Sequence, residues 1–287
     1  MTIALAIREA TEALEAASET PRLDAELLMA HLLGMTRSDL LLRHMQEPVV
    51  PGYAALVVRR MKHEPVAYIT GIQEFYGLEF IVNCDVLIPR GDSEVMVDKA
   101  LAAQPYPSRV LDCGTGSGAL LLAVLANLSQ ADGVGIERSQ AALEVAAANA
   151  ARLGLAKRAR LLKADWREPG WADSLGRFDL ILANPPYVED TAELSPSVRD
   201  HEPSAALFAG PEGLDDYRIL IPQLAGLLTG HGVALVEIGA TQAAAVSAMA
   251  TVAGFSVKLH RDLANRPRAL ELAHSNEILL GKVVPVA

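Results

Sequence analysis

The stretch Val110-Leu111-Asp112-Cys113-Gly114-Thr115-Gly116-Ser117-Gly118 decides the fold. Apolar residues that read as a buried strand run into an acid, then a glycine-rich turn, then a helical pattern over 117–127. Glycines there let the chain turn tightly and let a ligand approach the backbone at the carboxyl end of a strand. Outward from it, short apolar strands at 109–112, 134–137, 160–164, 178–183 and 233–238 alternate with helices at 139–153, 214–228 and 241–253. That alternation predicts an α/β class with a parallel sheet covered on both faces. At the end, 255–260 and 268–273 read as strands. The link between them is too short for a crossover helix, so they are expected to pair antiparallel.

The loop alone fits two cofactor classes, because Gly114, Gly116 and Ala119 also satisfy the loose dinucleotide fingerprint. Asp112 separates them. A carboxylate at the strand end attracts an ammonium and repels a pyrophosphate. Glu137 ends the second strand, where an acid accepts ribose hydroxyls. Asp165 ends the third, placed for an adenine amino group, with the Trp166 ring beside it to pack on the base. A single acid at a strand end is ordinarily a surface residue; three at successive strand ends behind one glycine loop form a set. The predicted cofactor is S-adenosylmethionine (SAM), leaving as S-adenosylhomocysteine. Its site comprises Asp112, Gly114, Thr115, Gly116, Ser117, Gly118, Glu137, Asp165 and Trp166. A parallel sheet with one antiparallel strand is the arrangement of the Rossmann-like SAM-dependent methyltransferase fold.

The strand 178–183 ends in Asn184-Pro185-Pro186-Tyr187. Two prolines after an asparagine make an extended turn with little freedom. The Asn184 side-chain oxygen and the Pro185 carbonyl are then free to accept hydrogen bonds, which suits a target –NH2 with two hydrogens to donate. An amide or aryl amine nitrogen is a poor nucleophile because its lone pair is delocalised. Two acceptors orient it and favour pyramidalisation, while Tyr187 lies over the planar group. Asn184, Pro185 and Tyr187 are the predicted catalytic residues, and Pro186 joins them in the substrate site. The chemistry needs no metal.

Residues 1–64 read as a small helical bundle. Ile3, Ile7, Ala10 and Leu14 share one helical face, as do Leu23, Leu27, Leu28 and Leu32 before Gly34. Thr20-Pro21 and Thr36 with Asp39 read as helix starts, and 53–61 as a further helix. Residues 65–90 change texture. Tyr68, Ile69, Phe75, Tyr76, Phe80, Ile81 and Val82, interrupted by Gly71 and Gly77, predict a β-hairpin connector. Residues 91–287 then form the methyltransferase domain, ending in an apolar stretch, Ile278 to Ala287, without a motif.

Composition narrows the function classes. Half the chain (51%) is hydrophobic, enough for a sizeable core. No uncharged apolar run reaches the ~18 residues of a membrane span. The first turns carry Arg8, Glu9 and Glu12, unlike a secretory signal. Cys84 and Cys113 lack zinc spacing and read as reduced packing residues, which fits a cytoplasmic protein. The net charge of −10 argues against a direct nucleic-acid substrate.

Over nearly its whole length the sequence resembles the HemK/PrmC family of peptide chain release factor N5-glutamine methyltransferases. The resemblance is carried by Pro65-Val66-Ala67-Tyr68-Ile69-Thr70-Gly71, Glu74-Phe75-Tyr76-Gly77 and Val86-Leu87-Ile88-Pro89-Arg90, then by the two motifs above. Glu202-Pro203 with Ala206-Leu207, Glu237-Ile238-Gly239 with Gln242, and Asp262-Leu263 with Arg266-Pro267-Arg268 complete it. The resemblance implies a helical N-terminal domain that recognises the release factor, and the glutamine of a Gly-Gly-Gln loop as substrate. It also implies that Asn184 contacts SAM as well as the amide. A monomer with no membrane partner is expected. The chain departs from the pattern at Gly91-Asp92-Ser93-Glu94, where the family usually reads Pro-Glu-Thr-Glu, so a freer loop is expected there. Glu137 replaces the commoner Asp. The alternatives are a glutamine methyltransferase of a ribosomal protein and an adenine-N6 or guanine-N2 nucleic acid methyltransferase.

Overall fold

The computed structural model describes residues 1–275; the stretch Ile278 to Ala287 lies outside the described residues. The chain divides into two compact units. One comprises Met1–Ile72, Val82–Cys84 and Glu193–Glu202, the other Gln73–Ile81, Asp85–Ala192 and the residues from Pro203 on.

The first unit is helical, with helices Ile3–Leu14, Pro21–Leu33, Tyr53–Met61 and Val66–Thr70 among its elements. Ile3, Ile7, Ala10 and Leu14 are buried together, as their spacing predicts. The helix Pro21–Leu33 departs from expectation: Leu23 is exposed, while Asp24 and Glu26 are buried. Ion pairing explains this. Asp24 accepts from Arg60 Nε at 2.7 Å and from Ser18 Oγ at 2.6 Å. Glu26 pairs with Arg22 at 2.7 Å and with Arg37 at 2.6 Å. Buried charges persist only when paired, and an apolar-periodicity argument cannot see such partners. Thr20 does not cap this helix through its side chain; its hydroxyl goes to Asp24. Thr36 does cap, accepting the Asp39 N–H at 3.1 Å. Val66–Thr70 is a helix rather than a strand, started by Pro65 and stopped by Gly71 at φ 75°. Tyr68 and Ile69 are buried in it, so burial outweighs their β-propensity.

A hairpin follows, β1 (Ile72–Phe75) and β2 (Leu78–Ile81), belonging to the second unit from Gln73 on. Its turn residues Tyr76 and Gly77 both have positive φ, 53° and 72°, the conformation a two-residue hairpin turn demands. The non-glycine Tyr76 is held there by Glu94, which accepts its N–H at 2.8 Å. Phe75 and Phe80 pack edge to face with centroids 6.2 Å apart.

The seven-stranded sheet follows: β3 (Arg109–Cys113), β4 (Asp132–Glu137), β5 (Ala159–Lys163), β6 (Phe178–Ala183), β7 (Leu228–Glu237), β8 (Phe255–Arg261) and β9 (Pro267–His274), in the order β5-β4-β3-β6-β7-β9-β8. The first five are parallel, and β9 runs antiparallel to both β7 and β8. Helices Ala119–Asn127, Gln140–Arg152, Asp215–Leu227 and Ala243–Val252 fall where the sequence predicts them. Helix Glu94–Ala103 is an addition, packing Met96, Val97 and Ala100 into the core. The helix Ala119–Asn127 lies directly on β4. A side chain at Gly133 would come within 2.7 Å of Leu121, so glycine is required for that approach. Cys113 is buried, but Cys84 is exposed, so the packing role expected of both cysteines holds for Cys113 alone. No helix of the described residues is long and apolar enough to cross a membrane.

The sheet order reverses between β3 and β6. After β3 the chain winds outward through β4 and β5, then returns to the other side of β3. Ligands of open parallel sheets bind beyond the carboxyl ends of the strands at such a switch point. The register pairs Cys113 with Ala183, so the residues that follow, the glycine loop and Asn184, emerge side by side.

Candidate active site

A cleft opens above this switch point, lined by Asp112, the glycine loop, Glu137, Asp165, Trp166, Asn184 and Pro186 among others. The loop is pinned over the end of β4: Gly114 and Thr115 both donate to the Ile136 carbonyl at 2.9 Å. Gly114 needs its φ of 77°, and a Cβ there would sit 3.0 Å from the Trp166 ring. The indole therefore lies directly against the turn.

Asp112 is buried. The Thr115 hydroxyl donates to its Oδ2 at 2.7 Å, whereas Oδ1 has no hydrogen-bond partner among the described residues. Burial pushes its pKa up to about 7, partly opposed by Thr115, and the charge of Glu137 raises it further. A carboxylate so placed is poised for a cation. Glu137 is half-buried and oriented by two backbone groups: Oε1 accepts the Ser139 N–H at 2.9 Å, and Oε2 the Gly116 N–H at 3.2 Å. Asp165 lines the cleft, its Oδ1 accepting the Arg167 N–H at 2.9 Å. Trp166 donates its indole N–H to Asp216 at 3.0 Å, and Asp216 is itself held by Arg167.

Asn184 is half-buried, and among the described residues no hydrogen bond engages its side chain or the Pro185 carbonyl. Pro185 and Pro186 are buried. The segment after them is anchored at both faces. Val188 donates to Leu207 at 2.8 Å and its carbonyl accepts from Ala209 at 2.9 Å. Gln242 donates to the Tyr187 carbonyl at 3.0 Å and to Gly213 at 3.1 Å. The Tyr187 hydroxyl reaches Glu237 at 3.4 Å, and burial pushes the phenol up to about 12. Glu237, at the end of β7, is buried and pushed up to about 7 by desolvation.

Three residues position the site from a distance, and two of them, Asn149 and Asp216, belong to no motif. Asn149 is fully buried in the alanine-rich helix; it brackets Ile81 through both backbone groups at 2.7 and 3.0 Å and donates to Ser117 at 2.9 Å. It thereby ties the hairpin to the glycine loop. Asp216 clamps Trp166, and Gln242 clamps Tyr187. In the Gly91-Asp92-Ser93-Glu94 segment, ion pairs supply restraint in place of the missing proline. Asp92 accepts from Arg266 at 2.9 Å and from Arg268 at 2.8 Å.

The cleft thus offers a carboxylate for a cation, a second for hydroxyls, an aromatic face and the unengaged Asn184 side chain; of the predicted substrate residues, Pro185 and Tyr187 do not line it, and Tyr187 faces a second cavity. Residues 6–71 match the family model of the PrmC N-terminal domain, and residues 107–206 match a methyltransferase domain. A release factor glutamine methyltransferase of Geobacter sulfurreducens is 42% identical over 83% of this chain and 84% of its own length. That of Caulobacter vibrioides is 40% identical over 89% and 90%. Among solved structures, a methyltransferase from Pyrococcus furiosus (17% identical, TM-score 0.51) covers 68% of this chain and 88% of its own. The ribosomal protein L11 methylase of Lactobacillus delbrueckii (23% identical, TM-score 0.50) covers 68% and 84%. Those two share the fold. With the relatives matching along both the helical segment and the sheet, the chain belongs to the release factor glutamine methyltransferase family.

Proposed function

We propose that this protein transfers a methyl group from SAM to the side-chain amide nitrogen of a glutamine in peptide chain release factors, the glutamine of their Gly-Gly-Gln loop. The observation that carries the reading is the pairing of Cys113 with Ala183. It sets the Asp112 carboxylate, whose Oδ1 has no partner among the described residues, and the unengaged Asn184 side chain at neighbouring strand ends of one cleft.

The residues fit the cofactor. The bare Asp112 Oδ1 suits the methionyl ammonium, since leaving a buried acceptor unpaired costs about 1–3 kcal/mol. Glu137, steadied by two N–H groups, suits the ribose hydroxyls. Trp166, clamped by Asp216, presents a face to the adenine, and Asp165 stands beside it for the amino group. When bound, SAM supplies a methyl carbon made electrophilic by its sulfonium. Alanine at Glu137 or Trp166 is expected to weaken SAM binding by about tenfold, read by calorimetric titration. Unchanged titrations for both would remove this map.

On the acceptor side, Asn184 Oδ1 and the Pro185 carbonyl take the two N–H groups of the amide. They turn the nitrogen so that its lone pair faces the methyl group, and they stabilise the positive charge that grows on nitrogen. Positioning of this kind contributes roughly 7–11 kcal/mol in favourable cases, and preorganised dipoles add to it. The Tyr187 ring lies along the planar amide, and its main chain is fixed by Gln242. The helical unit, which matches the N-terminal domain model, is assigned to recognition of the protein substrate.

The direct test offers the enzyme a release factor, a ribosomal protein preparation and duplex DNA in parallel, with labelled SAM. Label in the release factor alone supports the reading. Label in either of the others, with none in the release factor, overturns it.

A further inference from the structure

Glu237 and Arg268 meet close to Tyr187, with the Ser93 hydroxyl facing the Glu237 carboxyl, and Glu237 Oε2 and Arg268 Nε are buried polar atoms without a full hydrogen bond among the described residues. Glu237 is 2% exposed and Arg268 9%. Both line a second cavity together with Tyr187, Arg90, Asp92 and Gln73. Pro89 and Arg90 line this cavity and the cofactor cleft alike, so the two adjoin.

We infer that this second cavity seats the peptide main chain flanking the methyl-accepting amide, with Glu237 taking an N–H from it and Arg268 giving one to a carbonyl. The inference rests on the proposed protein substrate and deepens it. Buried polar groups are nearly always satisfied, so orphans that line a cavity mark the place of a partner. The Arg268 guanidinium is anchored at its far end: one terminal nitrogen donates to Asp92 at 2.8 Å and lies 3.4 Å from Asp262. Its buried Nε makes no hydrogen bond among the described residues. Glu237 has Oε1 turned to the Tyr187 hydroxyl and Oε2 unused.

The charge pattern identifies the chemical class of the occupant. Two guanidinium groups, Arg90 and Arg268, are balanced by two carboxylates, Asp92 and Glu237. A net anion or cation gains little in such a site, whereas a neutral group with one donor and one acceptor satisfies both orphans. A peptide unit is that group. The place is also correct. The cofactor reading fills the first cleft, and Tyr187, proposed to lie along the target amide, is a wall of the second. A chain presenting its glutamine to Asn184 therefore crosses this cavity.

The test measures equilibrium binding of a release factor to the enzyme loaded with S-adenosylhomocysteine, for wild type, Glu237→Gln and Arg268→Lys. Lysine keeps the charge that pairs with Asp92 and loses the Nε donor; glutamine keeps the shape of Glu237 and loses its charge. Each variant is expected to raise the release factor Kd at least about tenfold while the S-adenosylhomocysteine Kd stays within about twofold. A release factor Kd within about twofold of wild type would overturn the subsite and leave solvent as the cavity's occupant. Equal losses of both affinities would also overturn it. Should Arg268→Lys fail to fold, Glu237→Gln carries the same comparison. A wild-type enzyme that neither binds nor methylates the release factor sinks the substrate reading itself, a result distinct from active wild type with unmoved variants.

Discussion

Replacing Asn184 by alanine is expected to cut methyl transfer by about a thousandfold or more while SAM affinity changes by no more than a few-fold. The asymmetry follows from where the side chain stands. Asn184 is the first residue beyond β6, with an unengaged side chain, and the turn behind it is fixed by two buried prolines and by Gln242 at the Tyr187 carbonyl. Alanine removes one of the two acceptors proposed to orient the amide. It leaves untouched the Asp112 carboxylate, Glu137 and Trp166, the groups proposed to hold SAM. The loss belongs in kcat, because it concerns charge that appears only as the nitrogen attacks. Single-turnover transfer and a SAM titration on one preparation check this. Near-normal turnover would show that Asn184 is not the acceptor.

Asp112→Asn has a second large effect, with opposite signs for binding and stability. Asp112 is raised from its ordinary value to about 7 by burial, so the folded, ligand-free protein holds its proton more tightly than the unfolded chain. Stability from this group is therefore present at low pH and falls as pH rises from about 4 towards 7. Near pH 8 the buried charge costs on the order of 4 kcal/mol relative to a neutral side chain, before the site relaxes. Asparagine escapes that cost. The ligand-free variant is expected to melt several degrees above wild type near pH 8, with the gap closing towards pH 5. Binding moves the other way, because only the carboxylate pairs with the ammonium. Wild-type SAM affinity is expected to fall about tenfold from pH 8 to pH 6, while the variant binds weakly with little pH dependence over that range. Melting curves and titrations at the two pH values read both effects. A variant less stable than wild type at pH 8, or one with wild-type affinity, would refute the role of Asp112.

Most of the sheet could be read directly from the chain. Strand 178–183 was recoverable because it is a continuous apolar run closed by two prolines, and the β8–β9 pairing because seven residues cannot hold a crossover. The glycine loop and the asparagine motif were readable for a related reason: each needs special backbone conformations that few residues allow. The misreadings share a cause as well. Tyr68 and Ile69 carry strand propensity but are buried within a single helical turn between Pro65 and Gly71. Leu23 fits an apolar stripe, yet Asp24 and Glu26 take the buried face because Arg60 and Arg37 arrive from elsewhere in the helical unit and Arg22 lies one turn before Glu26. Asn149 and Asp216 act across separations of 32 and 50 residues, on Ser117 and Trp166. A side chain that supports a site through a remote partner leaves no local pattern. It appears only once the sheet brings the strand ends together.

The unengaged acceptors at the end of β6 are proposed to receive a glutamine amide. The most direct test is tandem mass spectrometry of a release factor after incubation with this enzyme and labelled SAM, beside a factor whose Gly-Gly-Gln glutamine is replaced by alanine. Label is expected on the amide of that one glutamine and none on the variant. Label retained by the variant, or found on a residue other than that glutamine, would contradict the proposal.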